Sequence, residues 1–173
     1  MTLQNLLPAN WQFDTTQLNP IDSDGKWLLP PLVDLCARLR EPGHQSHGTL
    51  KSEGAAAREN GFLHVVIPPD TNPVLENGSL LAGLRERAYQ DGGIYLYVLG
   101  AMTAGLEGEK PANMLGLKQG GIIGVSNARR KFANDDVLLQ ALDYAATYDI
   151  KVSFYPDEPS LSKNGVAHDG YIA

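Results

Sequence analysis

Thiol chemistry is nearly absent from this chain of 173 residues, which has one cysteine, Cys36. That excludes an internal disulfide framework and any zinc site built from a cysteine cluster. Long apolar runs are also missing, and none approaches the roughly 20 residues that a membrane-spanning helix needs. Basic charge is in deficit, with 14 Lys and Arg against 20 Asp and Glu and a formal net charge of -6. Phosphate binding wants a basic stripe, so no nucleic-acid partner is expected. The segment Met1 to Asn10 has neither a basic leader nor a long apolar core, so no secretory signal is expected and a cytoplasmic protein is the default. Internal repeats and low-complexity tracts are lacking as well. What is present is ordinary: 43% apolar residues, enough at this length for a real core.

Residues 1–29 carry Pro8, Asn19, Pro20, Asp22, Asp24 and Gly25 and show little periodicity. They read as an irregular arm with at most one short strand, around Lys26 to Leu29. Residues 30–173 read as a second domain with a regular rhythm. Apolar runs at Leu32 to Leu39, Phe62 to Ile67, Ile94 to Leu99, Ile122 to Val125 and Val152 to Phe154 predict five strands. Between them, helices are predicted over Leu50 to Glu59, Leu80 to Gln90, Ala112 to Lys118 and Asp135 to Tyr148. In the second helix Leu80, Leu81, Leu84 and Ala88 are expected to face inward. In the fourth the inward set is Val137, Leu138, Leu142 and Ala145 or Ala146. Continuous apolar strands alternating with helices mean a parallel sheet covered by helices, an α/β fold. An open doubly wound sheet and a barrel both satisfy that pattern. No glycine-rich phosphate loop follows a strand, which favours the barrel. A full eight-stranded barrel takes roughly 250 residues, so only part of one is expected.

The segment from Leu32 to Gly43 is the most informative. Strand alternation would set Asp34, Cys36, Arg38 and Arg40 on one face, pointing into a barrel. A buried arginine is costly unless paired, and Asp34 is the nearest candidate in sequence. Two readings stand at this point: a structural Asp–Arg pair, or an anion-binding mouth.

This segment resembles the first barrel strand of the dihydroorotases, metal-dependent amidohydrolases of pyrimidine synthesis. Their pattern is Asp-x-His-x-His-x-Arg-x-Pro-Gly. Asp34, Arg40, Pro42 and Gly43 are kept, while Cys36 and Arg38 stand where the two metal-binding histidines would be. Pro69 to Val74 resembles the family's Pro-Asn-Thr-Asn-Pro-Val turn, with Asp70 in place of a substrate-touching Asn and with Asn72 retained. Gly121 to Asn127 resembles the strand that carries a metal-side Asp, a position held by Asn127. Val152 to Leu161 resembles the strand ending in His-x-Glu-Asp-Pro; Tyr155 takes the His position, and Asp157, Glu158 and Pro159 roughly hold the tail. The resemblance implies the N-terminal half of a TIM-like (β/α)8 barrel, preceded by a shortened remnant of a β-sandwich.

The ligand chemistry then points away from the family's activity. Zinc in such a site needs imidazole nitrogens and carboxylate oxygens. Cys36, Arg38, Asn127 and Tyr155 offer one possible ligand between them, and a guanidinium has no lone pair to give. No zinc and no catalytic residue are therefore expected. His44 and His47 stand in a loop and read as solvated, His64 as a packed or hydrogen-bonded strand residue, and His168 as exposed. Arg85, Glu86 and Arg87 read as a solvated helix face. Arg129, Arg130 and Lys131 read either as a solvated loop or as a contact for an acidic partner.

The chain closely resembles the noncatalytic dihydroorotase-like chains that accompany aspartate carbamoyltransferase in some bacteria. It implies a scaffold role with that enzyme as partner. Arg40 would be the surviving substrate contact, with Asp70 and Asn72 as further vestiges. Two alternatives remain: a cyclic amidohydrolase with a rearranged site on Cys36, Arg40 and Asp70, and an anion-binding module without turnover. A half barrel has two raw strand edges, so the chain is expected either to be a fragment of a longer protein or to self-associate through those edges.

Overall fold

A computed structural model describes Gly25 and residues 29–156. The chain divides between Pro30 and Pro31, and every element below lies in the unit Pro31–Ala173. The strand expected near Lys26 to Leu29 and the tail residues Asp157, Glu158, Pro159 and His168 fall outside the described residues.

Five strands form one parallel sheet: β1 (Leu32–Asp34), β2 (Phe62–Ile67), β3 (Tyr95–Ala101), β4 (Gly124–Ser126) and β5 (Val152–Ser153). Their spatial order is their chain order. Each crossover therefore steps to the next position in the same direction, and the order never reverses. A doubly wound sheet needs such a reversal, and it is where that fold places its ligand crevice. The sequential order is that of half a barrel, with the helices on one face and no switch point.

The helices are α1 (Leu50–Glu59), α2 (Ser79–Arg87), α3 (Met114–Gln119) and α4 (Asp135–Thr147). The starts of α1 and α4 are capped locally. Thr49 and Ser52 form a reciprocal capping box on α1, and the Asn134 side chain accepts from the Val137 amide on α4. Asp135 and Asp136 occupy the first turn of α4, at its positive end. Alternate strand residues bury against these helices. Val65, Ile67, Leu96 and Val98 pack with Leu50, Leu81 and Leu84. Val125 packs with Met114, Ala141, Ala145 and Ile150. Among the described residues no helix is long and apolar enough to cross a membrane.

Three expectations need correction. The inward stripe of α2 is Leu81, Leu84 and Ala88, and Leu80 is exposed. Leu80 sits one residue, about 100°, off that stripe. In α4 the buried line is Val137, Ala141 and Ala145, at four-residue spacing, which turns Leu142 outward. β1 ends at Asp34 rather than continuing to Leu39. Asp34 Oδ1 accepts from the Cys36 amide at 2.9 Å, and that local bond turns the backbone out of the strand.

The end of α2 was not foreseen. It runs on into a π-turn over Ala88–Gly92, closed by Gly93 in the left-handed conformation. This turn packs backbone to backbone against α1. A Cβ on Gly92 would lie 2.5 Å from the Leu50 carbonyl oxygen, and one on Gly54 would lie 2.7 Å from Gly92 Cα.

Candidate functional site

The residues singled out by sequence gather at the C-terminal ends of the strands, the face where barrels of this kind carry their chemistry. Beyond β1 the chain turns at Asp34 and then lies back along β2, where the Ala37 amide donates to the Val66 carbonyl at 2.9 Å. The turn breaks the alternation. Cys36 is exposed, Arg38 is half-buried, Leu39 is buried and Arg40 is exposed. The four residues Asp34, Cys36, Arg38 and Arg40 therefore do not share an inward face.

Arg38 makes an ion pair with Asp70, not with Asp34. Its Nη2 and Nε donate to Asp70 Oδ2 at 2.9 and 3.1 Å. Nearness in sequence misleads here because Asp34 is already engaged with the Cys36 amide. The pair joins the ends of β1 and β2, with 34% of the Arg38 side chain and 29% of the Asp70 side chain exposed. Arg38, Arg40, His44 and Asp70 border a cleft of about 30 Å³. That is room for a water molecule or two.

Arg40 has a left-handed backbone, with φ 66°, and its carbonyl accepts from the His44 amide. Among the described residues no carboxylate pairs with Arg40. Two candidate partners are taken, Asp70 by Arg38 and Glu41 by Arg87. Asn72 is exposed, and its amide donates to the Pro42 carbonyl. Gly43 lies against it with φ 98°, and a Cβ there would sit 2.2 Å from the Asn72 carbonyl oxygen. Only glycine fits both that conformation and that approach.

Asn127 is buried directly after β4. Its Oδ1 accepts from Thr103 Oγ1 at 2.6 Å, and its Nδ2 donates to the Arg130 carbonyl at 3.1 Å. Thr103 Oγ1 in turn accepts from the Gly108 amide at 3.0 Å. The amide thus ties the loop after β3 to the loop after β4, using both its donor and its acceptor. Tyr155, beyond β5, is exposed and lies under the Arg129 guanidinium, 4.8 Å from Cζ to the ring centroid.

As a donor set, Cys36, Arg38, Asn127 and Tyr155 comprise a thiol, a guanidinium, an amide and a phenol. Two of these are already committed to protein partners, Arg38 to Asp70 and Asn127 to Thr103 and Arg130. A hydrolytic zinc ion, which wants imidazole and carboxylate donors, does not fit them. Among the described residues no group of three His, Cys, Asp or Glu side chains is placed to hold a metal ion. His44 and His47 lie exposed in a turn. His64 Nδ1 is 3.1 Å from the Tyr97 hydroxyl, and its ring stacks on Tyr95.

One residue of consequence was missed. Glu41 is buried, its Oε2 accepting from the Leu50 amide at 2.8 Å at the start of α1. Its Oε1 accepts from Arg87 Nη2. Arg87 thus keeps its place on the exposed side of α2, with 56% of its side chain accessible, and its guanidinium also anchors Glu41. Arg85 also has a structural role, donating to the carbonyls of Gly120 and Gly121. The only sequence signal for Glu41 was its place inside the signature segment, between Arg40 and Pro42.

A family model described as dihydro-orotase-like matches residues 25–173. A dihydroorotase-like protein of Pseudomonas putida is 37% identical over 153 residues, covering 88% of this chain and 36% of the relative. The corresponding protein of Pseudomonas aeruginosa is 36% identical over 153 residues, with 88% and 36% covered. A dihydroorotase of Pelotomaculum thermopropionicum is 31% identical over 165 residues, covering 95% of this chain and 38% of that protein. The chain thus spans little more than a third of the length of the curated relatives it matches.

Proposed function

This chain belongs to the dihydroorotase-like family, and from that premise we propose that it is a catalytically inactive, cytoplasmic member of pyrimidine biosynthesis that holds no zinc and serves as a scaffold for aspartate carbamoyltransferase. The observation that carries the reading is Arg38. Arg38, at the position that the resemblance gives to a metal-binding histidine, is a fixed cation bound through two donors to Asp70. A dication placed there would meet a positive charge and find no lone pair. Asn127 supports the same reading, because its amide is used up in holding two loops together. With the chemistry gone, the retained barrel architecture is what such a protein has to offer a partner.

The test measures metal content and dihydroorotase turnover on one purified sample, with zinc added and with zinc chelated. The expected result is no stoichiometric metal and no turnover, together with co-purification of aspartate carbamoyltransferase in a pull-down. Stoichiometric zinc with turnover would overturn the inactive reading. Absence of any complex would overturn the scaffold.

Arg40 favours a second reading, an anion-binding module without turnover. It is exposed beside the cleft, and among the described residues no carboxylate neutralises it. Against this, the cleft of about 30 Å³ is far below the roughly 300 Å³ at which small-molecule sites begin. Equilibrium dialysis with dihydroorotate decides it: saturable binding that Arg40→Ala abolishes supports the module.

A further inference from the structure

The loop between β4 and α4 concentrates positive charge in an acidic chain. Arg129, Arg130 and Lys131 are consecutive and exposed, against a net charge of -6. Among the described residues none of the three has a carboxylate within ion-pair distance. Such a cluster on a floppy loop would mean little, but this backbone is held from several sides. The Arg130 amide donates to the Asn127 carbonyl at 2.9 Å, and Asn127 Nδ2 returns a bond to the Arg130 carbonyl. The Ala128 amide donates to Ser126 Oγ at 3.0 Å, and the Ala133 amide to the Gly108 carbonyl at 2.9 Å. Gly108 lies so close to the Lys131 carbonyl that a Cβ there would sit 2.2 Å from its oxygen. A loop already ordered loses little conformational entropy when it binds.

Aromatic rings stand beside these cations. The Arg129 guanidinium lies over Tyr155, and Phe132 stacks on Phe154 with centroids 6.3 Å apart. Phe154 is 53% exposed and Tyr155 46% exposed. With Arg130 and Lys131 they border a cleft of about 290 Å³. One carboxylate, Asp135, also borders it, in the first turn of α4 where the helix's positive end attracts it. Arginine with exposed Tyr and Phe is the composition that concentrates binding energy at protein interfaces. Three neighbouring cations select for negative charge on the other side.

We infer that this face docks an acidic segment of a partner protein, one whose carboxylates meet Arg129, Arg130 and Lys131 while an apolar or aromatic side chain enters the cleft beside Phe154 and Tyr155. The inference does not depend on which protein the chain scaffolds.

The test uses the full chain and a short fluorescein-labelled peptide of alternating Glu and Tyr, followed by fluorescence anisotropy. The expected result is saturable binding that weakens steadily with added salt, and no binding of the matching Lys and Tyr peptide. R129E/R130E/K131E should weaken binding about tenfold or more. Tyr155→Ala should weaken it while leaving the salt dependence in place. Circular dichroism confirms that the variants are folded, and the salt series on the unaltered chain stands even if they are not. Absence of saturable binding, equal binding of the Lys peptide, or insensitivity to salt would each overturn the inference.

Discussion

Substitution of Glu41 is the sharpest perturbation available. Its carboxylate bridges two elements distant in sequence, accepting from the Leu50 amide and from Arg87. The Leu50 amide belongs to the first turn of α1, where a helix cannot supply its own acceptor, and Leu50 is fully buried. Glu41→Ala therefore strands a buried donor, at about 1–3 kcal/mol. It also removes a charge-assisted bond to Arg87 and leaves a small void. Arg87 limits the total, because 56% of its side chain is exposed and water takes it back. The sum is about 2–4 kcal/mol, short of what a fully buried pair would cost. Glu41→Gln should cost less, about 1–2 kcal/mol, since its carbonyl can still serve Leu50. Arg87→Ala leaves the carboxylate buried with one bond, so Glu41→Gln added to Arg87→Ala should cost little more than Arg87→Ala alone. Urea unfolding followed by circular dichroism reads all four. A loss below about 0.5 kcal/mol for Glu41→Ala, or strict additivity in the double variant, refutes the reasoning.

Three further outcomes can be checked in the same assay. Gly92→Ala puts a Cβ against the Leu50 carbonyl and should destabilise by about 1–3 kcal/mol, since the obstacle is backbone of α1. Asn127→Asp should cost about 2–3 kcal/mol, because an oxygen then faces the Arg130 carbonyl where Nδ2 had donated; an unchanged midpoint would contradict the loop-tying role. Arg38→Ala should lose less than about 1 kcal/mol, because its pair with Asp70 is partly solvated, and a loss above about 2 kcal/mol would mean that pair matters to the fold.

Much of the barrel half was legible because its signals are local. α1 spans Leu50–Glu59 as predicted, and β2 matches its apolar run residue for residue. β1 was misread because a side chain, Asp34, competes with the sheet for the Cys36 amide, and hydrophobicity is blind to that. The π-turn after α2 arises from close packing of Gly92 on α1, a tertiary contact. The site divides the same way. That Asp34, Arg38, Asp70, Asn127 and Tyr155 come to the ends of the strands could be read from their places after the apolar runs. Which partners they take could not: Arg38 reaches Asp70 and Arg87 reaches Glu41 across long stretches of chain.

The sequential strand order carries a consequence for how the chain assembles. Every strand after β1 pairs with the strand made just before it, across a connection that carries one α-helix. The sheet can therefore grow at a single edge during synthesis, each new unit docking on a template already present, without waiting for distant segments. Each intermediate exposes a fresh strand edge until the next unit arrives. Slowing translation between β3 and β4 should then lengthen the time for which the β3 edge is open to aggregation, whereas a pause inside α1 leaves only β1 behind it.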